Sequence, residues 1–350
     1  MDAWRQLSTR LGIEHPIIQA PMAGGITTAE LVAAVSNAGG LGSIGAAYTK
    51  PEDIVQLARK VRQLTDRPYA INLFAPQPPP READPSPMLA MLARHHQELG
   101  LPPPRPPTSP LPSFEAQVDA FVESGAPIFT FTLGVPPPAV IERLKAREVV
   151  LIGTATNVRE AKLLEAAGID IIVAQGSEAG GHRGTFAEPF EAGMVGTMAL
   201  VPQLVDAVRL PVVASGGIMD GRGIAAARVL GASGVQLGTA FITCPESGAA
   251  PAYKAALRAS RDDSTVITRA LSGRPARGLP NAITQEVGDS EAILPFPLQH
   301  AATSPLRGAA AARGDTRYMT LWSGQAAALA RDLPAAELLR RLVEESERLR

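Results

Sequence analysis

Short apolar runs recur along the chain at 17–22, 41–48, 69–75, 128–134, 149–155, 169–176, 211–217 and 234–241. Each is brief and apolar at successive positions, the pattern of a strand buried on both faces of a parallel sheet. Between them lie stretches of helical period at 28–39, 51–65, 114–124, 138–147, 158–168, 200–209 and 221–231. Thr27 and Thr28 ahead of Ala29-Glu30, and Pro51 followed by Glu52-Asp53, mark helix starts, whereas Gly39, Gly168 and Gly231 mark stops. Eight strands alternating with helices predict an α/β chain closed as a (β/α)₈ TIM barrel. An open doubly wound sheet would need a poorer edge strand, and none of the eight is clearly poorer.

Two interruptions break the rhythm. Residues 76–113 carry Pro78-Pro79-Pro80 and Pro102-Pro103-Pro104 with a helical island at 88–100 between them. Proline removes backbone donors and favours extended segments, so a surface excursion is predicted, a variable loop rather than a partner-binding ligand. The second interruption, 244–311, follows the eighth strand. It opens with a helical stretch at 251–260, with Pro251 at the position where its missing N–H costs nothing. Irregular Gly/Pro-rich sequence follows, giving a small, mainly helical insert on the substrate side. Residues 325–350 read as helix. The expected organisation is a barrel over 1–243 carrying the 76–113 insert, a small domain at 244–311, and a segment at 312–350 that returns to the barrel.

Composition narrows the classes. Of 350 residues, 45% are hydrophobic and 19% charged, which is globular. A formal net charge of -1 provides no long-range pull toward nucleic acid or an anionic membrane surface, so neither is an expected partner. Cys244 is the one cysteine, which rules out an intramolecular disulfide framework and a cysteine metal cluster. The first ten residues carry charges and no apolar h-region, and no run of about 18 apolar residues occurs, so a cytoplasmic location is expected.

In such a barrel, reactive groups sit on loops leaving the carboxyl ends of the strands. After strand 6 comes Gln175-Gly176-Ser177-Glu178-Ala179-Gly180-Gly181-His182-Arg183-Gly184. Its glycines let backbone approach a flat ligand, and His182 is the candidate proton-handling group. After strands 7 and 8 come Ser215-Gly216-Gly217-Ile218 and Gln236-Leu237-Gly238-Thr239, the two loops that commonly form a barrel's phosphate site. Either could be a plain tight turn; the pair, at these two strands, points to a phosphorylated ligand. Strand 1 ends in Ala20-Pro21-Met22, suited to a backbone platform against a ring, and strand 3 places Asn72 at the same rim. No metal site is expected: His95 and His96 are adjacent and face different ways, and His15 and His300 lack neighbouring ligands in sequence. No serine sits in a nucleophile elbow and no glycine run forms a Walker loop.

Together with Ser36-Asn37-Ala38-Gly39-Gly40-Leu41-Gly42, Phe296-Pro297-Leu298-Gln299 and Trp322-Ser323-Gly324-Gln325, these segments resemble the nitronate monooxygenase family, in particular its histidine-containing bacterial class. Gly180-Gly181-His182-Arg183-Gly184 is the most specific part; the proline-rich insert and the stretch from Cys244 to Pro295 match least. The resemblance implies FMN as cofactor. Asn72 and Gln175 would hydrogen-bond the isoalloxazine, lined by Ala20, Pro21 and Met22. Gly180, Gly181, Ser215, Gly216, Gly217, Gln236, Leu237, Gly238 and Thr239 would cradle the ribityl phosphate end. Trp322, Ser323, Gly324 and Gln325 would close over it. The implied reaction takes a small nitronate or nitroalkane and O₂ to a carbonyl compound and nitrite, in a monomer or homodimer. His182 would orient or electrostatically hold the nitro group, acting as base only toward a neutral nitroalkane. The rival readings are an FMN-type enoyl-thioester reductase, an NAD(P)H:quinone reductase, and a flavin-free phosphate-binding lyase or isomerase. The last usually needs a strand-end lysine or a metal, and none of the eight strands ends in lysine.

Overall fold

The computed structural model describes residues 2–108 and 111–349; Ser109 and Pro110 of the insert, Met1 and Arg350 lie outside the described residues. In chain order the strands are β1 (Ile17–Gln19), β2 (Gly42–Gly45), β3 (Tyr69–Phe74), β4 (Ile128–Thr132), β5 (Val150–Ala155), β6 (Ile171–Gln175), β7 (Gly181–His182), β8 (Val212–Ser215), β9 (Gly234–Leu237), β10 (Val266–Thr268) and β11 (Ala276–Gly278). Eight of them pair in parallel in the order β1-β9-β8-β6-β5-β4-β3-β2. A bridge between Ile18 and Leu41 joins β1 to β2 and completes the ring. The predicted (β/α)₈ barrel is the fold.

Alternation explains why the strands read as apolar throughout. Ile17, Ile172 and Ala174 pack outward under the helices, whereas Ile18, Ile171 and Val173 point into the barrel with Ala70, Ile128, Ile152 and Val213. The helix after β1 starts on the predicted Thr28, which accepts from Leu31 N; two further barrel helices start on Asn157, which accepts from Glu160 N, and on Asp220, which accepts from Arg222 N and Gly223 N. Helix Ala29–Asn37 presses so closely on β2 that a side chain at Gly42 would sit 2.2 Å from the Val32 carbonyl oxygen.

An N-terminal helix, Ala3–Leu11, was not anticipated from the sequence. Its Leu7 and Leu11 join the interior residues at the amino ends of the strands and plug that end of the barrel. The opposite end is therefore the open one.

A second apolar core lies beyond the carboxyl-end face. It joins Met88 and Leu92 to Tyr253, Leu257, Ile283, Leu306 and Tyr318. This corrects the reading of the proline-rich insert as a plain surface excursion: its helix, Ser86–Glu98, is built into that core, with His95 Nε2 lying 2.9 Å from Glu286 Oε2. The segment expected to be irregular also holds helix Leu298–Arg313, which runs on through Pro305. The final segment differs in the other direction. Residues 325–334 are not α-helical apart from a single 3₁₀ turn, Ala327–Leu329, and the helix occupies only Ala335–Glu347. Among the described residues, no helix is long and apolar enough to cross a membrane.

Candidate active site

The carboxyl ends of the strands open into a cavity of about 220 Å³. Its wall includes Ala20, Pro21 and Met22 after β1, Asn72 from β3, Gln175 from β6, and Gly180, Gly181 and His182 from the loop that follows. Ser215, Gly216 and Gly217 follow from β8, then Gln236, Leu237, Gly238 and Thr239 from β9, with Trp322 and Gly324 arriving from the C-terminal segment. Two of the sequence-predicted residues are not in the wall. Ser323 is buried behind it, its N–H donating to the Arg277 carbonyl, and the Gln325 N–H donates to the Glu178 carbonyl. None of the described residues lining the cavity is Asp, Glu, Lys or Arg.

The loop bearing His182 is held by four sets of contacts. Arg183, with a side chain almost wholly removed from solvent, donates to the carbonyls of Gly176 (2.7 Å), Gln175 (3.0 Å) and Gly193 (2.9 Å). Desolvation lowers its pKa to about 10, with Arg277 adding to the effect, so it stays cationic at neutral pH. Gln175 uses both ends of its amide on the same loop, donating to the His182 carbonyl at 3.0 Å and accepting from Gly184 N at 2.7 Å. The buried Glu160 accepts from Thr156, Phe186 and Ala187 and pins the far limb. Finally, β7 pairs antiparallel with β11, placing His182 opposite Ala276. The glycines therefore supply close approach without slackness.

His182 itself is half-buried. Its ring sits among Phe74, Phe296 and Trp322 at centroid distances of 5.9, 5.9 and 5.7 Å. Desolvation by these rings depresses its pKa to about 3, helped by the charge of Arg274, by His300 and by Arg307. The imidazole is neutral at any physiological pH. Its Nε2 lies 2.9 Å from Ser272 Oγ, and that hydroxyl spends its own proton on the Arg274 carbonyl at 3.1 Å. Ser272 must therefore accept from Nε2–H, which assigns the tautomer and leaves the lone pair on Nδ1.

Several residues of this neighbourhood escaped sequence reasoning. Tyr48 and Phe74 line the cavity edge to face, and His300 stacks flat on Tyr48 at 4.2 Å. Ser272, Arg274 and Arg307 complete the group around His182. Tyr48 follows β2, so the strand-end rule used for the other strands would have found it. Phe74 ends β3 and falls under the same rule. The others lie outside the strand ends and are brought there by the packing of the second core and the pairing of β7 with β11. Among the described residues, no group of three or more His, Cys, Asp or Glu side chains comes together to hold a metal.

A parallel barrel with a cavity at the carboxyl ends of its strands, floored by glycine loops and rimmed by one neutral imidazole, defines a small-molecule barrel enzyme rather than a macromolecule-binding module. The family model for nitronate monooxygenase matches residues 5–345. A "Probable nitronate monooxygenase" of Staphylococcus saprophyticus is 44% identical over 354 residues, spanning 98% of this chain and 99% of that protein. Among solved structures, nitroalkane oxidase from Streptomyces ansochromogenes superposes with a TM-score of 0.91 at 40% identity, covering 97% of each chain. FabK from Thermotoga maritima superposes with a TM-score of 0.77 at 30% identity over 98% of this chain and 96% of that one. The chain belongs to the nitronate monooxygenase family, a family of oxidoreductases.

Proposed function

We propose that the protein is an FMN-dependent nitronate monooxygenase, converting alkyl nitronates and O₂ to carbonyl compounds and nitrite. Two features of the cavity suit FMN. At the β8 end, Gly216 and Gly217 have φ of 117° and 72°, a backbone that glycine adopts readily and other residues rarely, so the turn can expose amide N–H groups to a phosphate. The wall offers neutral carboxamides and amides with no carboxylate to repel an anion. Asn72, which commits one amide hydrogen to Thr130 at 2.9 Å, would face the ring system on the platform of Ala20, Pro21 and Met22, whereas Gln175, expected beside it, has its amide committed to His182 and Gly184. Gly180, Gly181, Gly216, Gly217, Gly238 and Thr239 would hold the phosphate end. Bound FMN would supply the electron acceptor and the reactivity toward O₂.

The placement of His182 on the cavity wall, ringed by Phe74, Phe296 and Trp322, is the observation that carries the reading. A nitronate is already deprotonated, so its oxidation needs no base, and a neutral His182 adds no charge to hold it. His182 therefore orients the nitro group and excludes water, together with Phe74, Phe296 and Trp322. Toward a neutral nitroalkane, the free Nδ1 lone pair accepts the α-proton. The test is direct. Purified protein should be yellow, and adding ethyl nitronate or propionate 3-nitronate in air should release nitrite with oxygen uptake. A colourless protein, or NAD(P)H oxidation by an enoyl thioester or quinone with no nitrite from nitronates, would overturn the reading.

A further inference from the structure

If His182 is neutral, the charge that draws in an anion must come from elsewhere, and the cavity wall contains none. Just behind the wall stand Arg274 and Arg307. Arg274 donates to the Gln77 side-chain oxygen at 3.2 Å and to the Thr185 carbonyl. Arg307 donates to Thr303 and Thr320 hydroxyls at 3.0 and 2.8 Å, to Ser304 Oγ at 3.0 Å, and to the His300 carbonyl, with His300 Nδ1 at 3.1 Å. Every one of these partners is neutral, and neither guanidinium forms a salt bridge among the described residues. Glu160, whose charge Arg274 feels at longer range, is already committed to backbone and hydroxyl donors. Two partly buried cations outside any ion pair among the described residues, offset only at longer range by Glu160 on the Arg274 side, leave a positive field beside the cavity.

That field converges on one unused donor. The Tyr48 hydroxyl is buried with no hydrogen-bond partner, in a side chain that lines the cavity and feels both arginines. His300, whose Nδ1 faces Arg307, lies flat on the Tyr48 ring and fixes it. Tyr48 and His182 both line the cavity and both meet the Phe74 ring edge to face, at 5.5 and 5.9 Å, so the two rings are neighbours across one phenylalanine. A buried phenol with nothing to donate to, in a positive field, is the complement of a small oxyanion.

We infer that Tyr48, backed by Arg274 and Arg307, forms a subsite for a small planar oxyanion beside His182. That its natural occupant is the nitro group of the substrate rests on the reading above; the subsite itself does not. Nitrate, planar and unreactive, is the probe. Calorimetric titration of the 350-residue protein as purified should show one nitrate per chain, with Tyr48→Phe and Arg274→Gln each weakening it about tenfold, the scale of one charge-assisted hydrogen bond. Nitrate should also raise KM for a nitronate without changing kcat. Tyr48→Phe should melt at the wild-type temperature, because its hydroxyl satisfies no other group, so its result holds even where Arg274→Gln fails to fold. No nitrate binding to the wild type, or equal affinity in Tyr48→Phe, would overturn the subsite. Nitrate binding that depends on Tyr48 without nitrite from nitronates would leave the subsite standing and remove the oxidation reading. Nitrite production with nitrate affinity indifferent to Tyr48→Phe would do the reverse.

Discussion

At the scale of single residues, the depressed pKa of His182 sets what its kinetics will show. A histidine titrating near 6.5 would impose an acid limb on activity just below neutrality. With His182 at about 3, oxidation of a nitronate should stay level from pH 8 down to about 5, and kcat/KM measured across that range checks it. His182→Asn should retain the bound chromophore yet lose most turnover; undiminished turnover would remove the residue from the site. Ser272→Ala releases the Nε2 proton and lets both tautomers populate. It should lower kcat with a neutral nitroalkane about tenfold, and much less with the pre-ionised nitronate, which a side-by-side assay of the two substrates resolves. His182 could be found from sequence because Gly180-Gly181-His182-Arg183-Gly184 follows a strand at the carboxyl face. Ser272, which sets its tautomer, could not: a lone serine in a Gly/Pro-rich stretch has no local pattern, and only the pairing of β7 with β11 brings it there.

At the scale of elements, the barrel strands were legible because both faces are buried, so each stands out as an apolar run between helix stops. Helix Leu298–Arg313 was hidden by Pro305 and Gly308, which read as breakers, although the second core packs Leu306 and Ala310 firmly enough to override them. The insert helix Ser86–Glu98 was seen as a helix but not as part of a core, because a partner core distant in sequence leaves no local trace. The glycine turns offer the sharpest test. An added Cβ at Gly216 would lie 2.9 Å from Thr197 Oγ1 on a backbone with φ of 117°. Gly216→Ala should therefore cost about 1–3 kcal/mol locally and reduce flavin content per chain, read from absorbance and melting temperature.

At the scale of the molecule, the same neutral imidazoles bear on stability. His182 and His300 both titrate at about 3 when folded, against 6.5 in the unfolded chain. Below pH 6.5 the unfolded chain binds protons that the folded one refuses, so stability is full above that value and falls as the pH drops toward 3. Each group contributes at most about 1.4 kcal/mol per pH unit, reduced because both rings keep some contact with solvent. The urea midpoint should decline between pH 6.5 and 4, and a His182→Asn, His300→Asn double variant should decline less steeply.

The pairing of β7 with β11 also bears on when the protein becomes competent during its synthesis. The eight strands of the ring end at β9, whereas the strand carrying His182 pairs with Ala276 and Arg277, almost forty residues later. The main core also draws on Leu338, Leu339 and Leu342 of the C-terminal helix, so barrel and rim both depend on sequence that follows the eighth barrel strand. A chain cut before Ala276 would lack the strand that pairs with Gly181 and His182, so the loop that carries the imidazole would lose that anchor.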